Sequence, residues 1–335
     1  MKIIIPMAGM GKRMRPHTLT VPKPLIPIAG KPIVHRLVED IAAVLDQQVE
    51  EVGFVISRNF GEEVEQRLVE IAGLIGAKGS IYYQDSPLGT GHAILCAEPM
   101  LNGPVIVAFA DTLFRANFRL DASQDGIIWV KQVEDPSAFG VVELSEKEEI
   151  TGFVEKPATY VSDLAIIGIY YFKNGGQLKE ELQYLIDNEV MHSNEYQLTD
   201  ALENMKEKGT AFTTGKVEEW LDCGNKDATV NSNKRYLDFI KDQPNISASA
   251  YTENSVIIQP VYIGPNVSIH NSVIGPHVSI GEHTVVKNSR IQNTIVQTHT
   301  TIENANLENS MIGSHVGLQG KASDLSIGDY NAATM

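Results

Sequence analysis

The 335-residue chain holds 42 acidic against 27 basic side chains, a formal charge of −15 that excludes a general nucleic-acid binder. Two cysteines, Cys96 and Cys223, stand far apart in no C-x-x-C spacing; this excludes a disulfide framework and a cysteine zinc site, so a reducing, cytoplasmic setting is expected. No apolar run approaches the ~18 residues of a membrane span, and no membrane partner is expected.

In chain order, "KIIIPMAG" reads as a buried strand entering a glycine-rich turn. "PIVHRLVEDIAAVL" places Ile33, Leu37, Ile41 and Val44 on one helical stripe opened by Pro32. "EVGFVIS" is a strand, "EEVEQRLVEIAGLI" a helix, "SIYYQ" a strand, "GHAILCAE" a helix, and "PVIVAFAD" a continuous apolar strand ending on Asp111. Strands alternating with helices imply a mostly parallel sheet covered on both faces, with ligands beyond the carboxyl ends of its strands. The glycine-rich turn and Asp111 both fall at such ends. From about residue 127 shorter strands follow ("GIIWVKQV", "FGVVELS", "ITGFVEKP", "LAIIGIYYF"), extending the sheet as a mixed one. Helices return at "QLKEELQYLIDN", "LTDALENMKEKG" and "NKDATVNSNKRYLDFIK".

Beyond about Pro244 helical periodicity vanishes. Aliphatic residues recur every five or six positions, from Ile257, Ile263, Ile269, Ile274 and Ile280 to Ile302, Leu307, Ile312 and Leu318. So short a period marks a solenoid in which three six-residue units close one triangular coil of parallel β-structure. About four coils fit. The expected domains are therefore residues 1–243, an α/β unit, and 244–335, a short parallel β-helix. Its open ends and flat faces invite stacking, and a homo-oligomer is expected.

The first 38 residues hold seven lysines and arginines and no acid. Within them Gly9 and Gly11 let backbone N–H groups approach a phosphate chain, and Lys12 and Arg13 follow where a phosphate would sit. A Walker A loop is excluded, because Pro6 and Arg13 occupy its first glycine and its hydroxyl position; Met14 stands where a dinucleotide fingerprint needs a third glycine. "GMGKRMRPHT" followed by "PKPLIPIAGKP" resembles the signature of the sugar-1-phosphate nucleotidyltransferases. Ala8 replaces a frequent glycine of that pattern, and Lys12 stands where threonine or serine is common. The resemblance covers roughly residues 1–235, and hexapeptide coils at 250–320 extend it.

This resemblance implies a Rossmann-like nucleotidyltransferase domain followed by a left-handed parallel β-helix. It implies a reaction of a nucleoside triphosphate, dTTP or UTP, with a sugar 1-phosphate, glucose 1-phosphate, giving a nucleoside-diphosphate sugar and pyrophosphate. Arg13 would grip the triphosphate, and Lys23 would contact the phosphates at the reacting centre. Asp111 in "VAFADT" and Asp222 in "WLDCGN" would hold Mg²⁺. Ala8, Gly9, Gly11, Lys12, Gln84, Gly89 and Thr90 would bind the nucleotide, with Gln84 and the backbone near Gly89 reading the base. Phe139 and Gly140, Glu155 and Lys156 of "FVEKP", Gly168 and Tyr170 of "GIYYF", and Glu195 and Thr199 of "NEYQLTD" would line the sugar-phosphate pocket. Three alternatives stay open at this level. One is GTP with mannose 1-phosphate. Another is acyl transfer on the coil, with His270, His277, His283, His299 or His315 as base. The third is a non-catalytic scaffold.

Overall fold

The computed structural model describes residues 1–116, 119–146, 148–192, 194–321, 325–330 and 332. Lys2–Pro6 (β1) is buried from Ile3 onward, as a strand covered on both faces must be. It pairs in parallel with Glu51–Ile56 (β2), which pairs in parallel with Lys78–Tyr83 (β3). On the other side β1 pairs in parallel with Val105–Ala108 (β4). Helices Ile33–Ala43 (α1), Glu62–Leu74 (α2) and Thr90–Leu95 (α3) make the crossovers. α1 buries Ile33, Leu37 and Ile41, the stripe expected from the sequence.

The later strands complete one nine-stranded mixed sheet. Beyond β4 come Thr112–Arg115 (β5), which stands outside that sheet, and then Gly126–Gln132 (β6), Gly140–Leu144 (β7), Ile150–Glu155 (β8) and Leu164–Phe172 (β9) within it. β9 runs antiparallel to β4, β6 and β7, and so stitches the two halves together. Helices Gly175–Asp187 (α4) and Leu198–Glu207 (α5) cover it, and Val107, Ile128, Val142, Tyr170, Phe172, Leu182 and Leu202 share one apolar cluster. Phe212–Lys216 (β10) adds in parallel to β6, and Glu219–Asp222 (β11) pairs antiparallel with β5 outside the main sheet.

Two compact units result: Met1–Ile26 with Lys31–Ala228, and Pro27–Gly30 with Thr229–Met335. The division falls within helix Lys226–Phe239 (α6), ahead of residue 243, and assigns four early residues to the second unit. Two local facts explain that assignment. Ala29 N–H donates to Asn233 Oδ1 at 2.8 Å, and a Cβ on Gly30 would lie 2.2 Å from the Tyr262 ring.

In the second unit three parallel sheets of short strands form the faces of the β-helix, one of five strands and two of four. Each hexapeptide aliphatic singled out in the sequence is buried in, or packs against, one core that includes Ile269, Ile280, Ile291 and Ile302. The corners turn through left-handed residues, which asparagine and histidine tolerate better than most. Asn254, Asn271, Asn288 and Asn304 take this conformation in one column, and their amides bond rung to rung at 2.8, 3.2 and 3.2 Å. His283, His299 and His315 occupy another column with rings stacked at 4.9 Å.

Candidate active site

The segment after β1 and the segment after β4 emerge side by side, because those strands are neighbours running the same way. Between them opens a hollow of about 520 Å³ lined by Ala8, Gly9, Gly11, Lys12, Arg13, Lys23, Gln84, Gly89, Thr90 and Asp111, among others. Residues 88 positions apart in sequence thus face one crevice at the strand carboxyl ends.

Gly11 is needed for its geometry. Its φ is +57°, and a Cβ there would lie 3.0 Å from the Lys23 side chain and 3.1 Å from Thr18. Its carbonyl accepts from Met14 N–H at 2.9 Å and Thr18 Oγ1 at 2.8 Å, which folds the loop back over Lys23. Lys12–Met14 then form a single 3-10 turn that buries Met14 and leaves Lys12 and Arg13 exposed on the hollow. Lys23 lies in a second 3-10 turn, Lys23–Leu25, with Pro22 before it and Pro24 after; the two rings stiffen the backbone that carries the ammonium. The Lys23 side chain is 10% exposed and its Nζ sits 3.0 Å from Asp111 Oδ2, while Asp111 is 42% exposed.

Asp222 arrives by a different route. β11 pairs with β5 in the register Asp222↔Thr112, and Cys223 N–H donates to the Asp111 carbonyl at 2.9 Å. Its carboxyl is pushed up, first by burial and then by the negative charge of Asp111; Gly224 N–H, Lys23 and Arg13 pull the other way. Gly224 N–H donates to Asp222 Oδ1 at 2.8 Å, and Gly224 itself lines the hollow. Arg13, Lys23 and Asp111 line the hollow and act electrostatically on Asp222, whose neighbour Gly224, rather than Asp222 itself, borders that space.

At the far wall, Gln84 is buried and its Nε2 donates to the Gly89 carbonyl at 3.1 Å and meets His92 Nδ1 at 3.0 Å. Gly89 has φ +105°, and a Cβ would lie 2.5 Å from the Tyr196 carbonyl oxygen. Thr90 Oγ1 accepts from Leu198 N–H at 3.0 Å and donates to Gln197 Oε1 at 3.3 Å, so its hydroxyl ties the loop to α5. Glu195, expected on the sugar side, borders the same hollow as Gln84 and Gly89, with Gln197 Nε2 donating to its carboxylate at 3.0 Å.

The other expected sugar-side residues form a second cluster. Lys156 Nζ lies 3.4 Å from Glu155 Oε1, Thr199 Oγ1 donates to Glu155 Oε2 at 3.4 Å, and a Cβ on Gly140 would meet that same oxygen at 3.1 Å. Lys156 N–H donates to the Phe139 carbonyl at 3.1 Å, and the Phe139 ring stands edge-on to Trp220 at 4.9 Å. Gly168, at φ +84°, packs against Phe109 beside Asp111. Tyr170 is 5% exposed, a core ring rather than an open wall. Burial strongly raises its hydroxyl, reinforced by the charges of Glu155 and Asp111.

Of the histidines on the coil, His270 bonds Glu253 and Ser268 at 2.9 Å each, and His277 bonds Asp238 at 2.9 Å. With the stacked column of three, they have structural partners, and neither this hollow nor a second one at Val44, Phe114 and Arg119 is lined by any of the five. Sequence reasoning missed His92. Its only signal was its place in "LGTGHAI", one helical turn into α3.

Residues 2–238 match the nucleotidyl transferase family, and the chain belongs to it. Among relatives, it is 29% identical over 301 residues to a glucose-1-phosphate thymidylyltransferase of Streptomyces antibioticus, covering 87% of this chain and 81% of that one. It is 31% identical over 264 residues to the bifunctional protein GlmU of Methanococcus vannielii, covering 77% of this chain but only 59% of that protein's length. A solved structure of a UDP-glucose pyrophosphorylase with UDP-glucose superposes at a TM-score of 0.58 and 28% identity, covering 71% of this chain and 98% of the other. No helix among the described residues is long and apolar enough to cross a membrane.

Proposed function

We propose that the protein transfers a nucleotidyl group from UTP or dTTP to a sugar 1-phosphate, glucose 1-phosphate in the first instance, and releases pyrophosphate. The observation that supports this best is the Lys23–Asp111 ion pair on the hollow that the glycine-rich loop lines, with Asp222 within electrostatic reach of both. The names of the thymidylyltransferase and UDP-glucose pyrophosphorylase relatives agree with the base and sugar chosen.

A sugar-phosphate oxygen attacks the α-phosphorus in line; a new P–O bond forms as the bond to the β-phosphate bridging oxygen breaks, and pyrophosphate leaves with that electron pair. The protein needs no side-chain nucleophile, so its work is positioning and charge neutralisation. The backbone of Gly9–Gly11 and the side chains of Lys12 and Arg13 hold the triphosphate. Lys23, stiffened by its prolines and already desolvated, faces the charge that develops at the α-phosphorus. Lys156, beside Glu155 and Thr199, holds the incoming sugar phosphate and sugar hydroxyls.

The donor set suits Mg²⁺. Among the described residues no three His, Cys, Asp or Glu side chains group as a metal site, yet Mg²⁺ needs only one or two carboxylates besides phosphate oxygens and water. Burial first, and then the negative charge of Asp111, raise Asp222, and a divalent cation would offset both. Asp111 and Asp222 would hold the ion, which supplies neutralisation of the triphosphate charge. The test is a pyrophosphate-release screen of UTP, dTTP, GTP, CTP and ATP against several sugar 1-phosphates with Mg²⁺. Release with UTP or dTTP and a hexose 1-phosphate is the expected result; no release with any pair would refute the reading.

A further inference from the structure

Resting on that reading of the hollow, we infer that His92 selects the base by fixing which end of the Gln84 amide faces the nucleotide. An amide nitrogen has two hydrogens and no acceptor capacity. Both hydrogens of Gln84 have partners inside the protein: the Gly89 carbonyl at 3.1 Å and His92 Nδ1 at 3.0 Å. Because the amide can only donate there, His92 Nδ1 must accept, which places the imidazole proton on Nε2. Burial lowers the His92 pKa and so favours this neutral ring. Among the described residues, Nδ1 also approaches Cys96 Sγ at 3.9 Å, a weak and distant competitor.

The consequence is chemical. With its nitrogen held inward, Gln84 offers the hollow an acceptor, Oε1. Uracil and thymine present the N3–H of an imide, a donor that matches it. Cytosine presents a bare N3 lone pair, which would oppose the Oε1 lone pairs. Without an acceptor at position 92 the amide loses one of its two anchors and keeps the Gly89 carbonyl alone; it turns over more readily, and Nε2 would then welcome cytosine. His92 touches no substrate in this account. It is a positioning residue, and what it positions is the specificity of the site.

The experiment is calorimetric binding of UTP and CTP to the full chain and to His92→Leu, His92→Ala and His92→Asn. The unmodified protein should prefer UTP. In the Leu variant, which removes the acceptor and excludes water, the UTP-over-CTP affinity ratio should fall by about tenfold or more. The Ala variant serves the same purpose without added bulk if the Leu variant does not fold. The Asn variant, whose Oδ1 can accept in place of Nδ1, should keep the ratio within about threefold, an outcome a merely structural histidine would not produce. An unchanged ratio in the folded Leu or Ala variant overturns the inference, as does an unmodified protein that binds UTP and CTP equally or binds neither. A UTP preference that erodes in these variants, in a protein that releases no pyrophosphate from any sugar 1-phosphate, sinks the catalytic reading and leaves the inference standing.

Discussion

Replacing Lys23 by methionine separates chemistry from stability. The lysine stem is almost wholly buried and packs under Gly11, so alanine would empty space worth roughly 0.8 kcal/mol for each methylene removed. Methionine keeps most of that volume and deletes the charge. The partner left behind, Asp111, is 42% exposed, so water takes the place of the ammonium and the stability cost stays below about 1 kcal/mol. For a unit of this size that is a Tm change of no more than about 4 °C. The transition state has no such substitute. A preorganised, desolvated donor removed from a developing oxyanion costs about 10²–10³ in rate, or roughly 3–4 kcal/mol. Continuous pyrophosphate assay and thermal unfolding on the same Lys23→Met preparation should therefore show kcat down by about two to three orders of magnitude with folding hardly touched. A kcat within tenfold of the unmodified enzyme would refute the placement of Lys23 at the reacting phosphorus.

Lys156→Ala should act on the other substrate, raising KM for the sugar 1-phosphate by about 10–100-fold through loss of a charge-assisted bond while calorimetric UTP affinity is kept. The Asp222 carboxyl is raised above its ordinary value of 3.8, so in the metal-free protein its contribution favours folding at acid pH and fades as pH rises through the folded pKa. Mg²⁺ should accordingly raise Tm at neutral pH and lose that effect as Asp222 becomes protonated; Asp222→Asn should raise the metal-free Tm at neutral pH and respond less to Mg²⁺, both read by differential scanning fluorimetry. In the coil, Asn288→Ala should cost about 1–2 kcal/mol by denaturant unfolding from its left-handed backbone alone, and Asn288→Gly less, because glycine meets no such penalty.

What could be read from the sequence was whatever lies within one stretch of chain. The glycine turn, Lys23 between its prolines, Asp111 after an apolar strand and the hexapeptide aliphatics all carry local signatures, although the strand stops at Ala108, short of Asp111, and Lys23 stands in a 3-10 turn. The rest depends on pairings between distant segments. Asp222 reaches Asp111 only because β11 pairs with β5, and no spacing rule joins residues so far apart. Glu195 borders the hollow beside Gly89 because residue 196 lies against that loop. Tyr170 looked like a pocket residue, yet β9 is buried on both faces there and its ring joins the apolar cluster with Ile128 and Phe172. The early end of the first unit was invisible for the same reason: nothing within Pro27–Gly30 shows that Asn233 and Tyr262 wait for it.

The asparagine column has a bearing on how such a chain can change its length. Each amide meets an identical amide one storey above or below, at offsets of 16 or 17 residues. A duplication or excision of one whole storey would therefore present the same surface to its neighbours and leave no mismatched floor, whereas the loss of a few residues would shear every column above it. Natural variation in this unit should come in whole storeys.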